Sequence, residues 1–326
     1  MANNRKAGIG TAKPEMSVTF MEPQLHSPVL LKETLEALNL SKGSRIIDGT
    51  VGTGGHTYAI LEAITPGGQI LGIDTDPEAL SIAKKRLARF EEAITLVHGN
   101  FSTLKGIAEL NDFVPVQGIL LDLGMSSLQL SSSRGFSFQG ASPLDMRFNP
   151  EQDISAGDLV NTATENELFR IIHEYGEEPL AKKIVKSIID HRPITDTGRL
   201  VQAIEKVYGN FRGHLHPATK TFQALRIATN QELENLHYFL PQAVNILDKG
   251  GRLVVISYHS LEDKIVKTFL SRESRDCVCP PVVIECVCHH SATLKSVNKK
   301  VIRPKPEEVF INHRSRSARL RIAEKL

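Results

Sequence analysis

At 326 residues, 41% hydrophobic and 23% charged, the chain has apolar material for a sizeable core and a composition that excludes intrinsic disorder. No apolar run approaches the ~18 residues that a membrane span requires. The net charge of +2 hides a basic C-terminal stretch: from Lys295 to Leu326 ten Lys or Arg face three Glu, which suits either a phosphate backbone or a solvated tail.

Residues 1–24 lack the apolar centre of a signal peptide and read as a loose tail. His26-Ser27-Pro28 opens a helix, with Ser27 as cap and Pro28 at the first helical position. Strand Arg45–Asp48 runs into the glycine-rich turn Gly49–Gly55 and a helix that stops at Thr65-Pro66-Gly67-Gly68. Strand Gln69–Asp74 follows, then a helix capped by Asp76-Pro77 with Leu80, Ala83 and Leu87 on one face. Ala93–His98 and Gly118–Asp122 are the third and fourth strands.

From Gln129 to Asn230 the pattern turns helical, with Thr164 and Glu167 forming a capping box and Tyr175-Gly176 a stop. Strand Arg252–Ser257 restores the sheet, and a helix opens at Ser260. These units predict an α/β fold: a doubly wound parallel sheet, residues 25–128 and 231–326, with a helical insertion at 129–230 after the fourth strand.

Ligands of such sheets bind beyond the carboxyl ends of the strands, where strand order reverses. The turn Gly49 to His56 lets backbone approach a ligand there, and Asp74, 26 residues after Asp48, can accept hydrogen bonds from ribose hydroxyls. That pair alone fits a dinucleotide as well as S-adenosylmethionine. Two features favour the methyl donor. Asp48 would repel a pyrophosphate but hold a cationic sulfonium or ammonium group, and Tyr58 stands where G-x-G-x-x-G requires its third glycine. Phe101 can stack on adenine or belong to the core. Asp122, closing the fourth strand, is a site residue or a capping group, and Leu123 to Ser127 does not read as a helix start.

Six segments, DGTVGTGGH (48–56), LLDLGMSS (120–127), RGFSF (134–138), PLDMR (143–147), HPATKTFQALRI (216–227) and SYHSLED (257–263), resemble the bacterial 16S ribosomal RNA (cytosine-N4) methyltransferases. The likeness runs from about His26 to Ala323, over nine tenths of the chain. It implies a Rossmann-like class I methyltransferase fold and S-adenosylmethionine-dependent methylation of one cytosine in the decoding region of the small ribosomal subunit. It also implies cofactor contacts at Gly54, Gly55, His56, Asp74, Phe101, Asp122 and Gln129, and a substrate-recognition role for the insertion. Many other amino-group methyltransferases follow the fourth-strand acid or serine with Pro-Pro and an aromatic. Here Asp122-Leu123-Gly124-Met125 departs from that, and their catalytic geometry does not transfer.

The N4 lone pair of cytosine is delocalised into the ring, so a catalyst must align it with the methyl group and draw on the amino hydrogens. Asp122 is the candidate acceptor, and this chemistry assigns no metal. His259 and Arg226 are candidate substrate contacts, Arg226 alternatively pairing internally. Ser260 reads as the helix cap. Arg134, Phe136 and Phe138 offer charge and stacking for an unpaired base, or simply anchor a loop.

All four cysteines lie at Cys277-x-Cys279 and Cys286-x-Cys288, which argues for a reducing compartment, the cytoplasm. Four thiolates there can build a tetrahedral zinc site, although C-x-C spacing is less usual than C-x₂-C and Pro280-Pro281 equally suits a structural loop. Three competing functions stay open: methylation of another base or a small molecule, nicotinamide-dependent redox chemistry, and rRNA assembly without catalysis.

Overall fold

The computed structural model describes residues 28–209, 215–283 and 285–326; the expected tail and the Ser27 cap lie outside them. The first half alternates as the sequence predicts: α1 (Leu31–Leu38), β1 (Arg45–Asp48), α2 (Gly55–Ile64), β2 (Gln69–Asp74), α3 (Pro77–Arg86), β3 (Ile94–His98), α4 (Leu104–Leu110) and β4 (Val116–Asp122). Helices then follow without a strand among the described residues: α5 (Ser127–Ser131), α6 (Ala156–Thr162), α7 (Glu165–Arg170), α8 (Ala181–Asp190), α9 (Thr197–Tyr208) and α10 (Thr219–Asn230). The chain closes with α11 (Glu232–Ile246), β5 (Leu247–Ser257), α12 (Ser260–Glu273), β6 (Leu294–Ser296), α13 (Pro306–Ile311) and β7 (Arg319–Lys325).

The strands form one seven-stranded sheet in the order β3-β2-β1-β4-β5-β7-β6. The first five are parallel and β7 pairs antiparallel with both β5 and β6, the arrangement of a Rossmann-like class I methyltransferase. Alternation decides the layers. Ile47, Leu71, Ile73, Leu121 and Val255 point to one face and meet Leu104, Phe239, Leu240 and Val266 of α4, α11 and α12. Ile46, Ile70, Leu120 and Val254 point to the other, against Leu38, Ile60, Leu61 and Ala83 of α1, α2 and α3. Each of the larger side chains among them, fully buried, contributes about 1.5–3 kcal/mol of transfer free energy. The segment between β4 and α11 has a core of its own around Ile172, Ile184, Ile188, Leu200, Ile204 and Leu225.

Three expectations need correction. The first helix starts at Leu31, three residues beyond Pro28, because Leu30 is left-handed (φ 53°). The Leu30 N–H donates to the Glu308 carboxylate of α13 at 2.7 Å, so a partner 278 residues away stands where a local cap was expected. The helix after β5 is capped by His259 rather than Ser260: the Glu262 carboxylate accepts hydrogen bonds from the backbone N–H groups of Tyr258 and His259. Ser260 instead donates to Glu177 at 2.6 Å, a link to the insertion. The basic C-terminus also holds the strand β7, in which Leu320 and Ile322 are buried while Arg319 and Arg321 pair with Asp263 at 3.5 and 2.7 Å.

Candidate active site

At the carboxyl ends of β1, β2 and β4 lies a cavity of about 530 Å³, within the range of small-molecule sites. Its floor is built by the glycine-rich turn. Asp48 braces that turn from below: Thr57 donates to one carboxylate oxygen at 2.7 Å and the Thr50 N–H to the other at 3.1 Å. With 1% of its surface exposed, Asp48 faces inward and holds the turn, not a ligand cation; burial pushes its carboxyl above the usual range. Gly52, at φ 52°, lines the cavity and donates its N–H to Asp74 Oδ2 at 2.7 Å.

Asp74 closes β2, and its second oxygen accepts the Asp76 N–H at 2.9 Å. Both oxygens are thus oriented by backbone, with one lone pair each left for the cavity. Burial raises its carboxyl to about 6. Phe101 lines the wall after β3 and packs edge-to-face on Phe239, centroids 5.5 Å apart. It serves core and cavity at once.

Asp122 closes β4 where the cavity meets a smaller one of about 140 Å³, and lines both. Its backbone N–H donates to Thr50 Oγ1 at 2.7 Å, while its carboxylate accepts from the Gly124 N–H at 3.1 Å and from the Tyr258 hydroxyl. Burial raises its carboxyl, and the hydroxyl of Tyr258 is pushed well above its usual value, burial being the largest cause and Asp122 the next. His56 Nε2 donates to the Val29 carbonyl at 3.0 Å, which turns Nδ1 toward Asp122 Oδ2 at 3.6 Å. Gly55 and His56 border the smaller cavity only. Gly54 caps α2 at φ 82°, and a β-carbon there would meet Leu87, just past α3, at 3.2 Å, so packing as well as conformation demands glycine.

Gln129 is buried on the rim, its side chain accepting the Ser126 N–H at 2.9 Å while Ser126 accepts the Gln129 N–H at 3.1 Å. This Ser-x-x-Gln capping box makes a helix start directly after Leu123–Met125, contrary to the expectation for that stretch. The roof is the loop bearing Phe148, Asn149 and Gln152. Arg134 pins it: the guanidinium pairs with buried Asp76 and donates to the carbonyls of Arg147 and Phe148. Asn230 adds a second clamp, accepting the Phe148 N–H at 2.7 Å and donating to the Met146 carbonyl at 2.8 Å.

Two sequence candidates are held apart from the cavity lining. Arg226 is bidentate to Glu232, at 2.7 and 2.8 Å. His259 has Nε2 3.0 Å from Glu262, a residue that does line the cavity. Phe136 stacks on Phe148, and Phe138 on His216. These rings anchor the insertion.

Residues 23–326 match the model of the MraW methylase family. The chain is 49% identical over 302 residues to a ribosomal RNA small subunit methyltransferase H of Dehalococcoides mccartyi, covering 92% of this chain and 86% of that one. The Thermomicrobium roseum protein of the same description is 49% identical over 305 residues, 94% of its length, and a Clostridium botulinum one 44% identical over 306, 99% of its length.

This chain belongs to the MraW methylase family.

As an MraW-family methylase it is an S-adenosylmethionine-dependent methyltransferase, and the cavity's donor set fits that cofactor. Its lining includes Asp74, Asp122, Glu151, Asp153, Glu232 and Glu262, with no Lys or Arg among the described residues. Such a lining favours a sulfonium and an ammonium over a pyrophosphate, and together with the family it argues against the nicotinamide reading. Asp74 suits the ribose hydroxyls, and Phe101 the adenine. Sequence reasoning took the turn Gly49 to His56 as a whole without singling out Thr50 or Gly52, and it missed Asn100, Tyr258 and Glu262. Gly52 was available as the first glycine of the Gly-x-Gly pair, whereas Tyr258 and Glu262 join the site only through the pairing of β4 with β5.

Proposed function

We propose that this methyltransferase methylates N4 of a single cytosine in the decoding region of 16S rRNA, in the cytoplasm, with the insertion at 129–230 guiding the RNA to the cavity. The relatives' shared description as small-subunit rRNA methyltransferases supports the substrate class. The observation that carries the chemistry is the Asp122 carboxylate, fixed by Gly124 and Tyr258 at the junction of the two cavities.

When bound, the cofactor supplies a methyl group on a positively charged sulfur. Asp122 accepts a hydrogen bond from the cytosine amino group, raising the electron density at N4 and holding its lone pair in line. Transfer of that methyl group would leave the donor as a neutral thioether and N4 with a proton to lose. A carboxylate raised in pKa by burial is a stronger base than an exposed one and takes that proton more readily. Glu262 holds the Tyr258 backbone at 2.8 Å and so fixes the second donor to Asp122. No helix among the described residues is long and apolar enough to cross a membrane.

The test is to supply labelled S-adenosylmethionine and small ribosomal subunits from cells lacking the protein, then digest the rRNA and map it by mass. N4-methylcytidine at one position is expected. Label on another base, or none in the rRNA, contradicts the proposal.

A further inference from the structure

The loop between α12 and β6 has little apolar packing among its described residues. Val282 and Val287, two of its large apolar side chains, are 86% and 67% exposed. Yet it is folded so that the sulfurs of Cys277, Cys279, Cys286 and Cys288 all lie within 4.8 Å of one another. Two of the separations are 3.6 Å (Cys286–Cys288) and 3.8 Å (Cys288–Cys277). A regular tetrahedron with zinc–sulfur bonds of about 2.3 Å has edges of about 3.8 Å.

We infer that these four cysteines form a structural tetrathiolate zinc site that staples the loop 277–288. Backbone N–H groups already point at the sulfurs as they do around thiolates: Val278 to Cys288 and Cys279 to Cys277 at 3.4 Å, and Val287 to Cys279 at 3.5 Å. Zinc with four thiolates carries a net charge of about −2. Lys264, Lys267, Arg272 and Arg275 line the cavity that Val278 borders and supply the opposite charge. His290 stays outside the set, its Nε2 3.2 Å from the Arg272 carbonyl. The closed, four-protein-ligand set assigns the metal to folding rather than to catalysis. Two C-x-C pairs across a turn achieve what C-x₂-C spacing usually does.

The full-length protein, purified anaerobically with a phosphine reductant and without added metal, should contain one zinc per chain by mass spectrometry. Replacement by cobalt(II) should give the intense thiolate charge-transfer absorption of a tetrahedral sulfur site. Cys279→Ser/Cys288→Ser should lose the zinc and the cobalt spectrum while the sheet's circular dichroism persists, and trypsin should then cut at Arg275 at least tenfold faster. Metal-free wild-type protein that takes up neither zinc nor cobalt when offered them overturns the inference. So does stoichiometric zinc retained by the double variant, which would place the metal elsewhere, for instance at Glu232, His259 and Glu262.

Discussion

The sheet and the insertion hold themselves together in different ways. The sheet's core comes from alternating strand residues covered on both faces, and Asp48, Asp74 and Asp122 each close a strand at its carboxyl end. The insertion has a separate apolar core and meets the sheet partly through polar links: Arg134 to Asp76, Arg226 to Glu232 and Glu177 to Ser260. The proposed catalytic carboxylate therefore sits on the sheet, and the position of the insertion beside it depends partly on a few polar bonds.

The sharpest way to break that division is at Asp122. Asp122→Asn should lower kcat by about 10²–10⁴-fold, because the carboxylate that accepts the amino proton is gone, while thermal stability at pH 7 is kept or rises as a buried charge is removed. Steady-state methyl transfer and calorimetric melting measure the two. The acid limb of the wild-type rate profile should lie above the ordinary Asp range, since burial raises Asp122, and Tyr258→Phe should move it higher by deleting a hydrogen bond that lowers it. An unmoved limb would take Tyr258 out of the mechanism.

Next in size is the hinge between the regions. Arg134→Met leaves the Asp76 carboxylate buried without its partner and should cost about 3–5 kcal/mol in urea unfolding. Asp76→Asn combined with it should recover much of the loss. A single substitution without effect would show that the other links suffice.

Asp74→Asn sharpens the sheet side. Losing a charge-assisted hydrogen bond is worth about 1.5–3 kcal/mol, so cofactor affinity should fall about 10- to 100-fold. The wild-type affinity should itself weaken as pH drops through about 6, where Asp74 takes up a proton. The sign for folding is the reverse. A carboxyl raised from 3.8 to about 6 in the folded state contributes stability that is present below 3.8 and lost as pH rises through about 6. Titration calorimetry and melting between pH 4 and 8 check both slopes. The smallest effect is expected at Ser260→Ala, within about 1 kcal/mol, because the lost bond to Glu177 is exposed.

What the sequence made legible follows the same division. Strands that alternate or run apolar between glycine turns announce themselves, and β1, β2, β3 and β4 differ from expectation by two residues at most. Asp76 and Thr164 are found as caps because capping is local. The last strand escaped notice because its arginines read as tail charge, although Leu320 and Ile322 carry the period of a buried face. The direction a carboxylate points is not a sequence property. Asp48 and Asp74 look equivalent at strand ends, yet Thr57 captures one and the cavity receives the other. Arg226 likewise has no visible partner until α11 brings Glu232 beside it.

The central claim is that the acid-lined cavity at the strand ends takes a cationic nucleoside gripped by Asp74. Titration calorimetry of the purified protein with S-adenosylmethionine, its demethylated product and NAD measures this directly. Saturable binding of the first two at one shared site per chain, weakened in Asp74→Asn, with no heat from NAD, is the predicted result. Failure to bind either of the first two, or equal binding of NAD, would contradict it.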